Sequence, residues 1–504
     1  MSYTQTDKGL TGPETQGSPD NVSGLSRTAS IGSKMPVGIT AFGSWMLGVG
    51  SMIGSMAWLI HGYMLSRAGA APTLAAWVLA ALINLPLCFI LAELSSMFPT
   101  AGGPYIYKYV ALKRLFPAYG QFLGFCTGWL YWVTMISGLS CMANGFAALL
   151  ATTFYKQASL APLWLGPLAI IGLFAGTTLL NFNRVARISF INNLFTFLKL
   201  AMVVVFATLV FTAKSSSLTN ILPTGAETEL ATFGSSVMKV LVLAITAFAG
   251  IEVVACTSSE TVDAKRNVSK AIFLTLFTVA AIYLVMAVSV FSAAKFTHSN
   301  DGFTMLVPGT SFSTSCPSLA EYFGGPLWGR IFTAGVVGSI ITCGFGCILA
   351  LARITYSMSQ TNLFPAKFSN LTEKEGVPKD ALIFQFACLS AVGVGTNLAS
   401  RLIAHFDAYS FLGEVFGFLY SLLAVLYGFS LISLRHTEPE WPRPFRLGKG
   451  NGLAWLLGTF TALVYGFVAF ACAQLATQLT ALGLLLCGLP VYSIYRNQSH
   501  NEVS

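Results

Sequence analysis

Residues 48–56, GVGSMIGSM, put three glycines and two serines inside an apolar run that extends from 38 to 65. A run of that length crosses about 30 Å of hydrocarbon at about 1.5 Å per helical residue. Weakening such a helix at its middle frees backbone N–H and C=O groups, each costing several kcal/mol in hydrocarbon unless protein, water or a ligand meets it. The break therefore needs a partner. A second break of the same kind, AFAGIE at 247–252, interrupts the run 232–258. Gly50 and Gly54 alone fit a helix-packing Gly-x-x-x-Gly equally well, but interruptions at matching places in two halves of a chain point to a transport site at the bilayer midplane.

The composition agrees with a membrane solvent. Apolar residues make up 55% of the 504 and charged ones 9%, against about 25% charged in an average soluble domain. Twelve apolar runs are long enough to span: 38–65, 73–98, 120–152, 161–182, 187–212, 232–258, 269–293, 328–352, 381–399, 408–433, 452–471 and 474–495. An even number places both termini on one side. With that side inside, inner segments hold 20 Lys and Arg and outer ones seven, which makes both termini cytoplasmic. The net charge of +9 thus reads as topology, with no call for nucleic acid. Residues 1–36 read as a disordered cytoplasmic tail without a signal peptide, and 496–504 as a second tail. Nine of the ten cysteines fall in spans and only Cys316 in an outer loop, so no extracellular disulfide framework is expected.

The halves repeat. Runs begin at 38 and 232, breaks fall at Gly54 and Gly250, and the next runs begin at 73 and 269. Five spans is an odd number, so the second copy enters from the opposite face. The expected fold is an all-α integral membrane protein of 12 transmembrane helices: an inverted repeat of five (37–215) and five (230–434), with helices 1 and 6 discontinuous. A cytoplasmic loop (435–451) and two C-terminal helices (452–495) follow.

Ionisable groups at membrane depth are few and informative. Glu252, directly after the second break, is a carboxyl group able to bind and release a proton during a cycle, or one that only satisfies freed N–H groups. Asn192, Thr196 and Lys199 share one stripe of the fifth span. The Lys199 ammonium there either supplies a positive charge to the cycle or ties its helix to freed carbonyls of the first span. Glu93 reads as an inner-gate partner of Arg353 or as a solvated interfacial carboxylate. Glu414 is a weaker pathway candidate.

Six stretches in order carry a resemblance to the amino acid, polyamine and organocation transporter superfamily, over about 36–446. They are GVGSMIGS, AELSSMFPTAGGPYIY, GWLYW, AFAGIE with ETVDAKRNVSKAI, ARITYSMSQTNLFPAKFSNL with GVP, and LRHTEPEWPRPFR. The resemblance implies alternating access by a bacterial-type permease of the inner membrane, moving an amino acid or related amine. It implies substrate contacts at Met52, Gly54, Ser55 and Met56, at Phe248, Ala249, Gly250 and Glu252, and at Tyr131. Gating or coupling at Glu93, Lys199 and Glu252 is read from their charges at membrane depth, and the resemblance adds that Lys199 stands where sodium-independent, often proton-coupled relatives carry a lysine in place of a sodium site. No cofactor or metal is implied. Two positions depart from the family: its Gly-Ser-Gly is Gly-Ser-Met at Met56, and its Asn-Pro is Asp263-Ala264. A polyamine or organic amine exchanger, or a sensor on the same fold, is the alternative.

An enzyme is disfavoured. GLSC at 138–141 offers a serine, but His61, His298, His405, His436 and His500 read as lying at span ends, in loops or in the tail, away from it. No Cys and His spacing suggests zinc.

Overall fold

The computed structural model describes residues 35–501 apart from 156–159, 214–215, 222–229, 294–295, 300–301, 306–314 and 473. The N-terminal tail read from the sequence lies outside the described residues up to 34. The described helices begin with α1 (Ala41–Met52), α2 (Ser55–Ala68), α3 (Ala70–Met97), α4 (Gly103–Leu115), α5 (Gly120–Tyr155), α6 (Leu165–Leu180) and α7 (Val185–Phe211). There follow α8 (Leu230–Thr246), α9 (Glu252–Cys256), α10 (Ala264–Ser292), α11 (Cys316–Gly324), α12 (Pro326–Gln360), α13 (Lys379–Leu402) and α14 (Ala408–Thr437). The chain closes with α15 (Gly452–Cys472), α16 (Leu475–Leu486) and α17 (Gly488–Asn501), so helix continues into the stretch read as a C-terminal tail.

Among the described residues, ten helical segments are long and apolar enough to cross a membrane. Two further apolar helices, Leu165–Leu180 and Thr232–Thr246, are shorter and stand at the fourth and sixth of the twelve runs. The all-α expectation needs one amendment. Strands β1 (Phe296–Ser299) and β2 (Gly302–Met305) pair antiparallel, with Phe296 opposite Met305. They lie in the long connection after α10, where no helix supplies backbone partners and a ladder does.

The centre is set by burial. The windows of Ala41–Ala68 and Pro117–Tyr155 are 89% and 83% buried, against 17% for Leu475–Ile494, so the first and third spans form the interior and the last lies outside. Helix α1 packs on α7, α10 and α12, and α5 on α12 and α14. Thr40 starts α1 by accepting a hydrogen bond from Gly43 N–H at 3.0 Å, a conventional N-cap. Glycine lets α7 approach α1: a Cβ on Gly50 would lie 2.6 Å from both Asn192 Oδ1 and Thr196 Oγ1. At one end of the bundle Gly38 and Ile39 N–H both donate to Glu260 O at 2.9 Å, which ties the entry to α1 to the segment after α9.

Candidate substrate site at two helix breaks

Helix α1 stops at Met52 and α2 begins at Ser55, leaving Ile53 and Gly54 outside regular helix. Helix α8 stops at Thr246 and α9 begins at Glu252, with 247–251 in turns. Gly250 has φ of +109°, a conformation that side chains disfavour and glycine adopts freely. The two breaks touch, because a Cβ on Gly250 would sit 3.2 Å from Ser51 O.

Each carbonyl released at the first break has a partner. Lys199 Nζ donates to Gly50 O at 2.8 Å and to Ile53 O at 3.0 Å. Cys343 Sγ donates to Ser51 O at 2.9 Å, and Ser339 Oγ to Ile53 O at 2.8 Å while accepting from Trp58 Nε1 at 2.9 Å. The Tyr283 hydroxyl lies 2.9 Å from Met52 O and 2.8 Å from Ala247 O, so one phenol joins both breaks. Asn192 and Thr196, buried with Lys199 on the same stripe, face α1, and Thr196 Oγ1 donates to Met46 O at 3.3 Å. Lys199 is thus engaged as a tie on the carbonyls. On the N–H side, the residue before α2 is Gly54, which has no side chain to cap the helix's first N–H groups. At the second break Gly250 N–H donates to Glu252 Oε2 at 3.1 Å, and Glu252 is buried.

A cavity opens between the breaks. Its wall includes Ser51, Met52, Gly54, Ser55 and Met56 from the first, and Thr246, Ala247, Ala249, Gly250 and Glu252 from the second. Met135, Gly138, Leu139, Cys141 and Met142 of α5 complete it, with Cys343 and Cys347 of α12 and Phe416 of α14. Seven residues expected from the sequence therefore meet around one space: Met52, Gly54, Ser55, Met56, Ala249, Gly250 and Glu252. The structure places Phe248 and Tyr131 beside that wall. Phe248 stacks edge-on against Trp77 and Tyr283, and the Tyr131 hydroxyl lies 3.5 Å from Cys256 Sγ. Met56 lines the cavity, its Cε 3.7 Å from where a Cβ on Gly413 would be. The α5, α12 and α14 contributions were not read from the sequence, since an apolar stripe in a spanning helix resembles any packing face.

The reading of Glu93 as partner of Arg353 is corrected, as is its alternative of a solvated carboxylate. Glu93 is fully buried and accepts from Arg435 Nε at 2.6 Å, Arg435 Nη2 at 2.7 Å and Leu447 N–H at 2.8 Å, with Arg443 Nε at 3.3 Å. Arg353 instead makes a bidentate pair with Glu260, 2.8 Å through both Nε and Nη2, both side chains 0% exposed. Glu414 is half-buried and accepts from Thr477 Oγ1 at 3.1 Å. His61, placed at a span end by the sequence, is buried within α2 and stacks on Trp77 at 5.1 Å. Sequence reasoning passed over Lys108 of α4: it is buried, its Nζ lies 3.7 Å from the Tyr427 ring centroid, and it makes no hydrogen bond among the described residues.

The chain is similar to known proteins along most of its length. The family model described as amino acid permease matches residues 34–482. The glutamate/serine transporter AimA of Bacillus subtilis is 24% identical over 90% of this chain and 81% of its own. The branched-chain amino acid permease BcaP of the same organism is 25% identical over 92% and 94%, and its serine/threonine exchanger SteT 24% identical over 88% and 93%. With a break-lined cavity in an apolar helical bundle and a family match along nearly its whole length, the chain belongs to the amino acid permease family of the amino acid, polyamine and organocation transporter superfamily.

Proposed function

We propose that this chain is a secondary transporter that carries an amino acid or related amine through the cavity between the two breaks by alternating access. Its twelve helices form two inverted five-helix repeats and a C-terminal pair, in a bacterial inner membrane with both termini cytoplasmic. The substrate's carboxylate rests at the uncapped start of α2, where Ser55 and Met56 present N–H groups and the helix dipole favours an anion, while Gly54 N–H donates to Met52 O at 3.0 Å. Its amine lies near the carbonyl side of the breaks and Glu252, which serves as the protonatable group of a proton-coupled or exchange cycle. The observation that carries the reading is one cavity whose wall takes residues from both breaks, among them Gly54 and Ser55 of the first and Gly250 and Glu252 of the second. The Lys199 ammonium on Gly50 O and Ile53 O supports transport without sodium, because it already supplies a fixed cation to those carbonyls.

Purified protein in liposomes is expected to accumulate or exchange radiolabelled amino acids, equally well with choline replacing sodium. Counterflow separates movement across the bilayer from mere binding. Glu252→Gln keeps an oxygen to accept from Gly250 N–H but loses the charge, and should slow exchange by about tenfold, the scale of one charge-assisted hydrogen bond. No exchange with any amino acid or amine, or a full rate for Glu252→Gln, would remove the reading or the role of Glu252 respectively.

Met56→Gly removes the side chain that reaches toward Gly413. Uptake of bulky substrates should improve about three- to tenfold, the range that a methylene or two commands in a pocket, with small substrates little changed. An identical substrate profile would show that Met56 does not bound the substrate.

A further inference from the structure

The wall that α5 and α14 give the cavity differs from the wall at the breaks. Met135, Gly138, Leu139 and Met142 stand at i, i+3, i+4 and i+7 on α5 and so form one face of that helix. Phe416 lies over that face: a Cβ on Gly138 would be 2.8 Å from two of its ring carbons. Met142 reaches back toward the first break, its Sδ 3.8 Å from where a Cβ on Gly54 would be. With the Met56 side chain, this part of the wall presents hydrocarbon, an aromatic ring and thioether sulfur, and its α5 and α14 residues lie inside helices that bond their backbone groups. Among the described residues Glu252 is the sole ionisable acid or base on the cavity wall apart from thiols; it belongs to the second break and already accepts from Gly250 N–H.

We propose that the cavity selects amino acids with uncharged, apolar side chains, aliphatic, thioether or aromatic, and rejects those whose side chains carry a charge. The inference rests on the cavity being the substrate site. A charged side chain placed against this wall loses its water and finds no counter-charge, the arrangement that proteins avoid most strongly. Four methionines, Met52, Met56, Met135 and Met142, line the same space, and unbranched thioethers adjust to different shapes. Apolar substrates of different outline should therefore differ little among themselves and greatly from charged ones.

The test uses the full chain in liposomes, with counterflow of radiolabelled leucine competed by methionine, valine, phenylalanine, glutamate, lysine and arginine. Methionine, valine and phenylalanine are expected to compete within about tenfold of leucine, and the three charged amino acids at least about 100-fold more weakly. Thermal shift in detergent with the same panel reads binding without transport. Glutamate, lysine or arginine competing as well as leucine overturns the selectivity while leaving the transport reading intact. Failure of every amino acid to exchange or to shift the melting temperature overturns both. Gly138→Ala supplies a second arm, since alanine is well tolerated in a helix yet must displace the Phe416 ring. It should weaken phenylalanine and methionine at least about tenfold more than alanine. An equal effect on all three would show that this wall does not receive the side chain.

Discussion

Lys199→Ala is expected to lower transport at least about 100-fold and to destabilise the protein by about 2–3 kcal/mol, the range for orphaning a buried acceptor and losing a charged donor. The ammonium bridges Gly50 O and Ile53 O across the point where α1 ends. Without it Ile53 O keeps Ser339 Oγ at 2.8 Å, whereas Gly50 O loses the side-chain donor that served it. In hydrocarbon surroundings water is a poor replacement. The break then relaxes, and the cavity that depends on Ser51 to Met56 loses its shape. Lys199→Arg should not restore function, because a planar fork cannot take the place of a compact ammonium between two carbonyls beside a glycine at van der Waals range. Proteoliposome uptake and the melting temperature in detergent measure the two effects separately. Uptake within about twofold of wild type for Lys199→Ala would mean that the break holds itself and that the lysine only fills space.

How far the sequence discloses this site depends on the kind of signal each residue leaves. The breaks are legible because glycine in a spanning helix is costly, and its recurrence at matching places, Gly54 and Gly250, goes beyond what close helix packing requires. Lys199 is legible because a charge at membrane depth needs a purpose, and the stripe of Asn192, Thr196 and Lys199 already aims it at α1. The stripe of Met135, Gly138, Leu139 and Met142 is not legible, since hydrocarbon faces of spanning helices look alike whether they meet a neighbour, lipid or a substrate. Tyr131 and Phe248, expected from the resemblance by position, leave no local signal of which neighbours they pack against. Both are buried beside the cavity, with the Tyr131 hydroxyl against Cys256 Sγ and the Phe248 ring against Trp77. Lys108 escaped notice because its helix, α4, lies outside the apolar runs and reads as a loop. Ion-pair partners were the hardest to read. Glu93 pairs with Arg435, 342 positions away, and nothing local distinguishes that arginine from Arg353.

The different pairing of these charges leads to a sharp energetic expectation. Glu93→Ala leaves Arg435 and Arg443 buried together, and leaves Leu447 N–H without its acceptor. Removing one member of a buried pair typically costs about 3–5 kcal/mol, against about 1 kcal/mol or less for a solvent-exposed one. The loss should appear as a lower melting temperature and as faster proteolysis of 438–451, the segment that Arg443 also secures through the carbonyls of Leu434, Glu438, Pro439 and Trp441. Replacing Glu93 and Arg435 together by leucine should cost less than the two single changes added, because the pair's desolvation is relieved with its attraction. A cycle on Glu93 and Arg353, which have different partners, should instead be additive within about 0.5 kcal/mol. Strong coupling between Glu93 and Arg353 would restore the gate pair expected from the sequence. Coupling confined to Glu93 and Arg435 identifies a fixed clamp between α3, α14 and the following loop, with any charged closure of the inner path left to Arg353 and Glu260, which join α12 to the turn after α9.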